Sequence, residues 1–241
     1  MLELLPLHAV HVDLVANDNA AALARRERYL SLMSPDEHER IARLVFERDR
    51  RRFLLTRALV RTMLSKYAAV APQDWKFVAN VHGRPELLDR PDGVPDLRFN
   101  LSHTDGLIAC AVTIGREVGV DVEHVGRRIT RDVPARFFAP REVAALLAVP
   151  EPERHKVFFD YWTLKEAYIK ATGLGLSLPL QSFAFRLGEP PAIAFEPADQ
   201  GDPAEWHFAR LDLSPRHVAA LAVRHSRRPS VTVREALPLK P

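Results

Sequence analysis

A chain of 241 residues in which 47% are hydrophobic can bury a substantial core, and its length suits one large domain or two tightly joined small ones. No apolar run approaches the roughly 20 residues that span a bilayer, and the first residues lack the pattern of a signal peptide, so we expect a cytoplasmic protein. The net charge is only +3, but the cations are mostly arginine, which predicts an anionic ligand without separating a phosphorylated cofactor from nucleic acid.

The first third of the chain is predicted to form one strand followed by helices. We expect a strand at 7–15, a helix at about 20–31, and helical structure from residue 35 to about residue 67 with a break near 46–49. Ser34, Pro35 and Glu37 have the pattern of a helix start, in which the serine caps the helix and the glutamate is its partner in a capping box. Arginines occupy the face of this helical segment opposite the apolar residues.

The rest of the chain predicts a mixed α+β architecture. Strands are expected at 75–80, 98–101, 107–113 and 118–123, helices at 140–148 and 153–172, and short strands in SFAFRL, AIAFEP, WHFARL and HVAALAV. Gly173 and Gly175 fit the end of the second helix. The runs 107–113 and 217–224 have similar apolar patterns, which is weak evidence for two related subdomains. The single cysteine, Cys110, lies in the first of these runs and is predicted to be a buried thiol.

Two carboxylates lie on the strand predicted at 118–123. Valines alternate there with Gly119, Asp121 and Glu123, so both carboxylates point to the same face. Their Cα atoms are expected to be roughly 6.6 Å apart, close enough to serve one hydrated ion. By itself this pattern also fits the solvent face of an edge strand.

A third carboxylate, a nearby lysine and two candidate phosphate-binding residues complete the candidate site residues. Glu166 and Lys170 lie four residues apart on one side of the predicted helix, where they could also form an ordinary surface ion pair worth a few tenths of a kcal/mol. Ser102 and His103 lie where a short strand ends in a turn, and both could contact a phosphate. Taken singly, such a serine is more often a turn residue and such a histidine a packing residue.

In this order, FNLSH, GVDVE and WTLKEAYIKATGLGLSLP resemble the phosphopantetheinyl transferase superfamily. The resemblance is closest to its large, single-chain, surfactin-synthetase-activating type, and it extends over most of the chain through SPDEHER, the arginine helix and HGRP. It implies an α+β fold of two pseudo-symmetric subdomains, each a small, mainly antiparallel sheet packed with helices. Residues 1–115 would supply contacts to coenzyme A phosphates, and residues 116–241 the metal-binding strand and the catalytic helix.

The resemblance also implies an activity and a role for each matched residue. The enzyme would move 4′-phosphopantetheine from coenzyme A to a serine of an apo acyl or peptidyl carrier protein and release 3′,5′-ADP. The residues implied to contact coenzyme A are Arg40, Arg52, Arg84, Ser102, His103, Asp121 and Lys170. Asp121, Glu123 and Glu166 would hold Mg²⁺, Glu166 would act as general base directly or through water, and Lys170 would neutralise the leaving diphosphate. Family members often have lysine where this chain has Glu37, which we expect to cap its helix.

The carrier protein is expected to dock on residues 133–149, which combine apolar and basic side chains, although a core helix with solvated arginines fits equally well. The residues concerned are Phe137, Phe138, Leu146, Leu147, Arg131, Arg136 and Arg141. An Mg²⁺-dependent nucleotide-diphosphate hydrolase is an alternative function. A nucleic-acid-binding protein using the arginine run at 40–61 is disfavoured because acidic residues interrupt that run. The resemblance implies a monomer. We expect no nucleic-acid or membrane partner, and the sequence leaves the pathway of the carrier protein open.

Overall fold

The computed structural model describes residues 2–16, 20–130, 132–198, 201–236 and 238, with residues 22, 23 and 176 described by their backbone alone. The chain forms two compact units. The first comprises Met1–Ala79, Pro85–Gly115 and Ser230–Pro241, and the second Asn80–Arg84 and Arg116–Pro229. These two units differ from the predicted division between residues 115 and 116 in two segments, Asn80–Arg84 and Ser230–Pro241. The C-terminal segment joins the first unit because its strand pairs in parallel with the first strand of the chain.

The helices and strands occur mostly in separate runs along the chain, as is typical of an α+β protein. In chain order the strands are β1 (Ala9–Ala16), β2 (Phe77–Ala79), β3 (Pro85–Leu87), β4 (Leu97–Thr104), β5 (Leu107–Ile114), β6 (Val118–His124), β7 (Phe183–Arg186), β8 (Ala192–Phe195), β9 (Trp206–Ser214), β10 (His217–Arg224) and β11 (Ser230–Glu235). The α-helices are α1 (Ala20–Leu23), α2 (Arg26–Leu30), α3 (Pro35–Arg43), α4 (Glu47–Leu64), α5 (Val133–Phe137), α6 (Pro140–Ala148) and α7 (Glu151–Thr172). None of the described helices combines the length and the apolar character needed to cross a membrane.

The first unit is built on a sheet of order β11-β1-β5-β4, covered by α4. β1 pairs in parallel with β11 and antiparallel with β5, which pairs antiparallel with β4. Leu55, Leu59 and Met63 recur at helical spacing on α4 and share a buried core with alternate residues of β5, Cys110 among them. The predicted burial of this thiol is confirmed, and burial raises the pKa of Cys110.

The helical segment predicted from residue 35 divides into α3 and α4. Leu44 and Phe46 adopt extended backbone conformations between them, and Arg50 Nε donates to the carbonyl oxygen of Leu44 at 2.8 Å. The break therefore occurs slightly before the predicted position. A side chain of α4 stabilises it by bonding a carbonyl that α3 leaves without a helical donor.

Glu37 does more than cap α3. Its Oε2 accepts the Ser34 backbone N–H at 3.1 Å, which confirms the predicted capping role, and also accepts Arg61 Nη2 at 2.7 Å. Arg57 Nε lies 3.1 Å from the other carboxylate oxygen. The Arg61 side chain is 1% exposed and donates further hydrogen bonds to the carbonyl oxygens of Pro72 and Trp75. One buried carboxylate thus joins the start of α3 to the last turns of α4.

The second unit is built on a sheet of order β6-β10-β9, with every pair antiparallel. The long helix α7 shares one core with β10 and with the hairpin of β7 and β8. α7 ends at Gly173, whose φ of +70° is the left-handed conformation in which glycine is favoured, as the sequence predicted.

The predicted α+β class with small, mainly antiparallel sheets packed against helices is confirmed. The similar runs 107–113 and 217–224 fall on β5 and β10, and each of these strands is flanked by a neighbour on both sides within its own sheet. The pseudo-symmetry of the two units stays a prediction.

Replacing Glu37 by glutamine should lower the free energy of unfolding by about 3–5 kcal/mol, because the buried guanidinium of Arg61 then loses its carboxylate. Urea denaturation of the wild type and the variant measures this difference. Glu39→Gln on the same helix is the matched control, because the Arg43–Glu39 pair is exposed at 78% and 67%. That variant should differ from wild type by less than about 1 kcal/mol. Equal effects of the two substitutions would show that Glu37 does not stabilise Arg61.

Candidate active site

The site of the second unit depends on a close approach between β6 and α7. Gly119 lies on the same face of β6 as Asp121 and Glu123, and a Cβ atom added there would lie 2.0 Å from the Ala167 carbonyl oxygen and 2.5 Å from the Ala171 amide nitrogen. Only glycine allows the helix backbone to come this near. The carboxylates of β6 therefore face the helix that carries Glu166 and Lys170.

Asp121 and Glu123 are buried, with 5% and 8% of their surface exposed. Lys170 Nζ donates to Asp121 Oδ1 at 2.7 Å and to the Val120 carbonyl oxygen at 3.3 Å. Arg127 Nη1 donates to Glu123 Oε1 at 2.8 Å. The solvent-face interpretation of the strand is therefore wrong, since these carboxylates are buried against a helix and paired with cations. Lys170, which the sequence also allowed as a surface partner of Glu166, contacts Asp121 on the strand.

Glu166 carries the most strongly perturbed carboxyl of this group. Burial raises its pKa to about 7; Asp121 and Glu123 raise it as well, while Lys170 opposes them. The pKa of Glu123 is also raised, first by burial and then by Asp121. The three carboxylates predicted as metal ligands are thus close enough to disfavour one another's ionisation.

The donor chemistry of these carboxylates fits a hard divalent cation, because Mg²⁺ prefers oxygen ligands and would relieve the crowding of like charges. Their positions fit less well. Among the described residues, no group of three or more histidine, cysteine, aspartate or glutamate side chains lies close enough together to hold a metal ion. Lys170 contacts Asp121 Oδ1 and Arg127 contacts Glu123 Oε1, so a metal would share these carboxylates with cationic side chains.

A buried ion pair holds α7 in place beside Glu166. Lys165 Nζ lies 2.8 Å from Glu142 Oε2, both side chains are 0% exposed, and the ammonium also donates to the carbonyl oxygens of Leu180 and Phe183. Glu142 in turn accepts the Phe185 backbone N–H at 2.7 Å. Burial raises the pKa of Glu142 and lowers that of Lys165. The pair joins α6, α7 and the start of β7, so the residue before Glu166 is rigidly positioned.

Arg84 lies in the second unit, at the C-terminal end of α7. Its Nη1 donates to the carbonyl oxygens of Ala171 at 2.8 Å and Lys170 at 3.2 Å, and lies 3.1 Å from Glu117 Oε2. These carbonyls belong to the last turn of the helix, where a cation is favourable. The structure therefore gives Arg84 a capping contact, and its predicted contact with phosphate stays a prediction.

The remaining predicted ligands of coenzyme A lie in the first unit. The exposed Arg40 guanidinium lies over the Phe53 ring, 5.1 Å from the centroid, whereas Arg52 pairs with Asp49 at 2.8 Å. Ser102 and His103 are consecutive residues of β4, one buried and the other exposed, so their side chains lie on opposite faces of the strand. The prediction that both contact one phosphate is not tested by this arrangement.

Sequence reasoning did not predict the contacts of three residues, Gly119 and Arg127 beside the carboxylates and Arg57 beside Glu37. The role of Gly119 depends on an approach by a helix about fifty residues away, and no local signal indicated it. Arg127 lies beyond the end of β6, outside any periodic pattern. Arg57 did have a signal, because Phe53, Arg57 and Arg61 recur every four residues and so share one face of α4.

Gly119→Ala should destabilise the protein by at least about 1–3 kcal/mol, because the new methyl group collides with helix backbone that cannot move aside as a side chain would. Thermal denaturation measures the change. Gly126→Ala is the matched control, since the nearest atoms to a Cβ there belong to the rotatable His124 ring. A Gly119→Ala protein as stable as wild type would contradict the close approach of β6 and α7.

The raised pKa of Glu166 predicts a pH dependence of stability in metal-free buffer. The ordinary value is 4.5 and the folded value about 7, so the folded state binds the extra proton between these pH values. Stability attributable to this group therefore falls as pH rises from about 4.5 to about 7. Glu166→Gln should gain roughly 1–3 kcal/mol relative to wild type between pH 5 and pH 8. Urea titrations at both pH values check this, and a pH-independent difference would contradict the raised pKa.

Two family models together match most of this chain. Residues 117–222 match the family model described as 4′-phosphopantetheinyl transferase superfamily, and residues 22–114 match the model described as 4′-phosphopantetheinyl transferase, N-terminal. The 4′-phosphopantetheinyl transferase HetI of Nostoc sp. is 39% identical over 79% of this chain and 78% of its own length. The 4′-phosphopantetheinyl transferase Sfp of Bacillus subtilis is 31% identical over 86% of this chain and 89% of its own length. The chain therefore belongs to the 4′-phosphopantetheinyl transferase superfamily, in the branch that includes Sfp.

Proposed function

We propose that this protein transfers 4′-phosphopantetheine from coenzyme A to a serine of an apo acyl or peptidyl carrier protein and releases 3′,5′-ADP. The observation that carries the proposal is the placement of Asp121, Glu123, Glu166 and Lys170 between one strand and one helix, in a chain of this family. The serine oxygen bonds to the phosphorus next to pantetheine, and the diphosphate P–O bond breaks. The serine loses its proton, and the 3′,5′-ADP departs with the electron pair of the broken bond.

Asp121, Glu123 and Glu166 are the residues that would hold Mg²⁺. When bound, the ion supplies charge stabilisation and orientation to a diphosphate. The oxygen donors and the raised pKa values of Glu123 and Glu166 support this assignment. The pairing of Asp121 with Lys170 means that this ammonium has to share or release the carboxylate when a cation binds there.

Glu166 is the candidate general base. Burial raises the pKa of this carboxyl to about 7 in the absence of a cation, and a cation bound beside it would lower that pKa. The carboxylate would accept the proton either directly from the serine or through an intervening water. Lys170 lies one helical turn further along α7, and its ammonium can offset charge that develops on the departing diphosphate. The two residues thus have different proposed roles, one as the proton acceptor and the other as a cation for the leaving group.

The contacts to coenzyme A remain proposals. Arg40 is supported by its exposed guanidinium, for which the described residues offer no carboxylate within ion-pair distance. Arg52, Ser102 and His103 are proposed on the match to the family alone. Arg84 is less available, because its side chain is 16% exposed and bonded to the end of α7.

The proposed docking surface for the carrier protein includes fewer residues than the sequence predicted. Phe138 and Leu146 are core residues at 1% and 5% exposure, so they cannot form the contact predicted for them. Leu147 is 59% exposed, and the half-buried Phe137 packs against Trp162 with Arg136 over its ring. We propose that these outer residues, with Arg141, receive an acidic carrier. Arg131 lies outside the described residues. A monomeric state and a cytoplasmic location also remain proposals.

The arginine run of α4 does not favour nucleic acid. Glu37 pairs with Arg57 and Arg61, Asp49 with Arg52, and Glu47 with Arg50. Much of the positive charge is therefore neutralised within the first unit, which leaves a weaker electrostatic attraction for a polyanion.

Incubation with coenzyme A, Mg²⁺ and an apo carrier protein tests the activity directly. We expect the carrier to gain the mass of phosphopantetheine, read by intact-protein mass spectrometry. Release of 3′,5′-ADP without a modified carrier would indicate a hydrolase and contradict the transferase. A set of apo carriers from fatty acid, polyketide and peptide synthesis also ranks the protein substrates.

Glu166→Gln and Lys170→Ala should fail in different ways. The glutamine variant loses a proposed metal ligand and a base, so turnover should fall at least about 100-fold at saturating coenzyme A. Excess Mg²⁺ should recover part of this loss. The alanine variant keeps the three carboxylates, so added Mg²⁺ should not restore its slower transfer. Wild-type turnover in Lys170→Ala at every Mg²⁺ concentration would remove the lysine from the mechanism.

A further inference from the structure

Three arginines and two aromatic rings form a cluster in the first unit, which we name the arginine–phenylalanine cluster: Arg40, Phe53, Arg57, Arg61 and Phe77. The guanidinium carbons of Arg40 and Arg57 lie 5.1 and 5.3 Å from the centroid of the same Phe53 ring. Those of Arg57 and Arg61 lie 5.6 and 5.0 Å from the centroid of Phe77. The rings therefore hold three like charges near one another.

The positive charge of the arginine–phenylalanine cluster exceeds the negative charge that contacts it. Among the described residues, Glu37 is the carboxylate within ion-pair distance of Arg57 and Arg61, and none lies at that distance from Arg40. The exposed Asp36 acts on Arg57 at longer range. Burial lowers the pKa of Arg57, and the charges of Arg40 and Arg61 lower it further against the opposing effect of Glu37. An anion at this position would relieve that repulsion.

Arg57 has hydrogen-bonding capacity that its surroundings do not use. Its Nε faces Glu37, but its Nη1 is buried without an acceptor among the described residues. A buried guanidinium N–H without an acceptor is costly, and such groups in folded proteins are rare without a functional reason. The side chain as a whole keeps 15% exposure, so the buried Nη1 lies on a side chain that is partly open to solvent.

We propose, resting on the proposed function, that Arg57 acts with Arg40 as a phosphate-binding residue that gives this enzyme its preference for the 3′-phosphate of coenzyme A. Glu37 orients Arg57 by holding its Nε edge and leaves the other edge of the fork for a phosphate oxygen. This arrangement also accounts for the glutamate at a position where the family often has lysine. The cation is supplied by α4, and the acidic residue of α3 positions it.

Isothermal titration with 3′,5′-ADP and with 5′-AMP, which differ only in the 3′-phosphate, measures the contribution of that phosphate alone. Wild type should bind 3′,5′-ADP more tightly. Arg57→Met keeps much of the apolar contact with the rings and removes the charge, so we expect the preference to fall about 10- to 100-fold while 5′-AMP affinity changes little. Arg48→Met on the same helix is the matched control, since Arg48 is 83% exposed and outside the arginine–phenylalanine cluster. It should keep the wild-type preference.

Arg57→Lys is a second variant in case the methionine variant fails to fold. It keeps a charge but cannot bond Glu37 and a phosphate at the same time through a planar fork, so its preference should also fall. An unchanged preference in either folded variant, or an equal loss for both nucleotides, would overturn the proposal. If the wild type modifies carriers but substitution of Arg57 leaves the preference for the 3′-phosphate unchanged, only this inference is overturned. If the preference for 3′,5′-ADP depends on Arg57 but the wild type modifies no carrier, the proposed transfer is overturned and the anion site remains.

Discussion

The second unit depends on how closely α7 can lie on β6, and one missing side chain sets that distance. With glycine at position 119, helix backbone occupies the space where a Cβ would be, 2.0 Å from the Ala167 oxygen. The same approach brings the Lys170 ammonium to Asp121 and encloses Glu166 beside the strand. Burial and mutual repulsion of the carboxylates, which raise the pKa of Glu166 to about 7, are consequences of this backbone contact.

Burying acidic groups on both elements requires compensation, and the unit supplies it in two ways. Lys170 and Arg127 neutralise the strand carboxylates near the site, while the fully buried Lys165–Glu142 pair stabilises the helix from the other direction. The first two cations contact carboxylates that are the proposed ligands of a metal. Lys170 and Arg127 are therefore suited to a reaction in which a negatively charged substrate binds and a negatively charged product leaves. The buried Lys165–Glu142 pair is suited to holding the helix rigid.

The first unit handles charge by a different arrangement. Glu37 serves as helix cap and as the partner of two arginines, and the two phenylalanine rings space the guanidinium groups. A carboxylate that could not itself bind phosphate thus organises cations that can. The stability of the α3–α4 junction and the proposed binding of an anionic ligand therefore involve the same few residues.

Local pattern in the sequence determined the strand carrying Asp121 and Glu123, the helix start at Ser34 and the helix end at Gly173, because each depends on backbone conformation and on residues a few positions away. It also supported the assignment to the phosphopantetheinyl transferase superfamily, because the motifs of this family occur in the chain in the family's order. Only the tertiary structure decided that β11 returns to β1, that Lys170 contacts Asp121, that Arg84 caps α7, and that Glu37 holds Arg57 and Arg61. Those partners are distant in the chain, and their pairing follows from how closely packed backbones let side chains meet, which no local periodicity encodes.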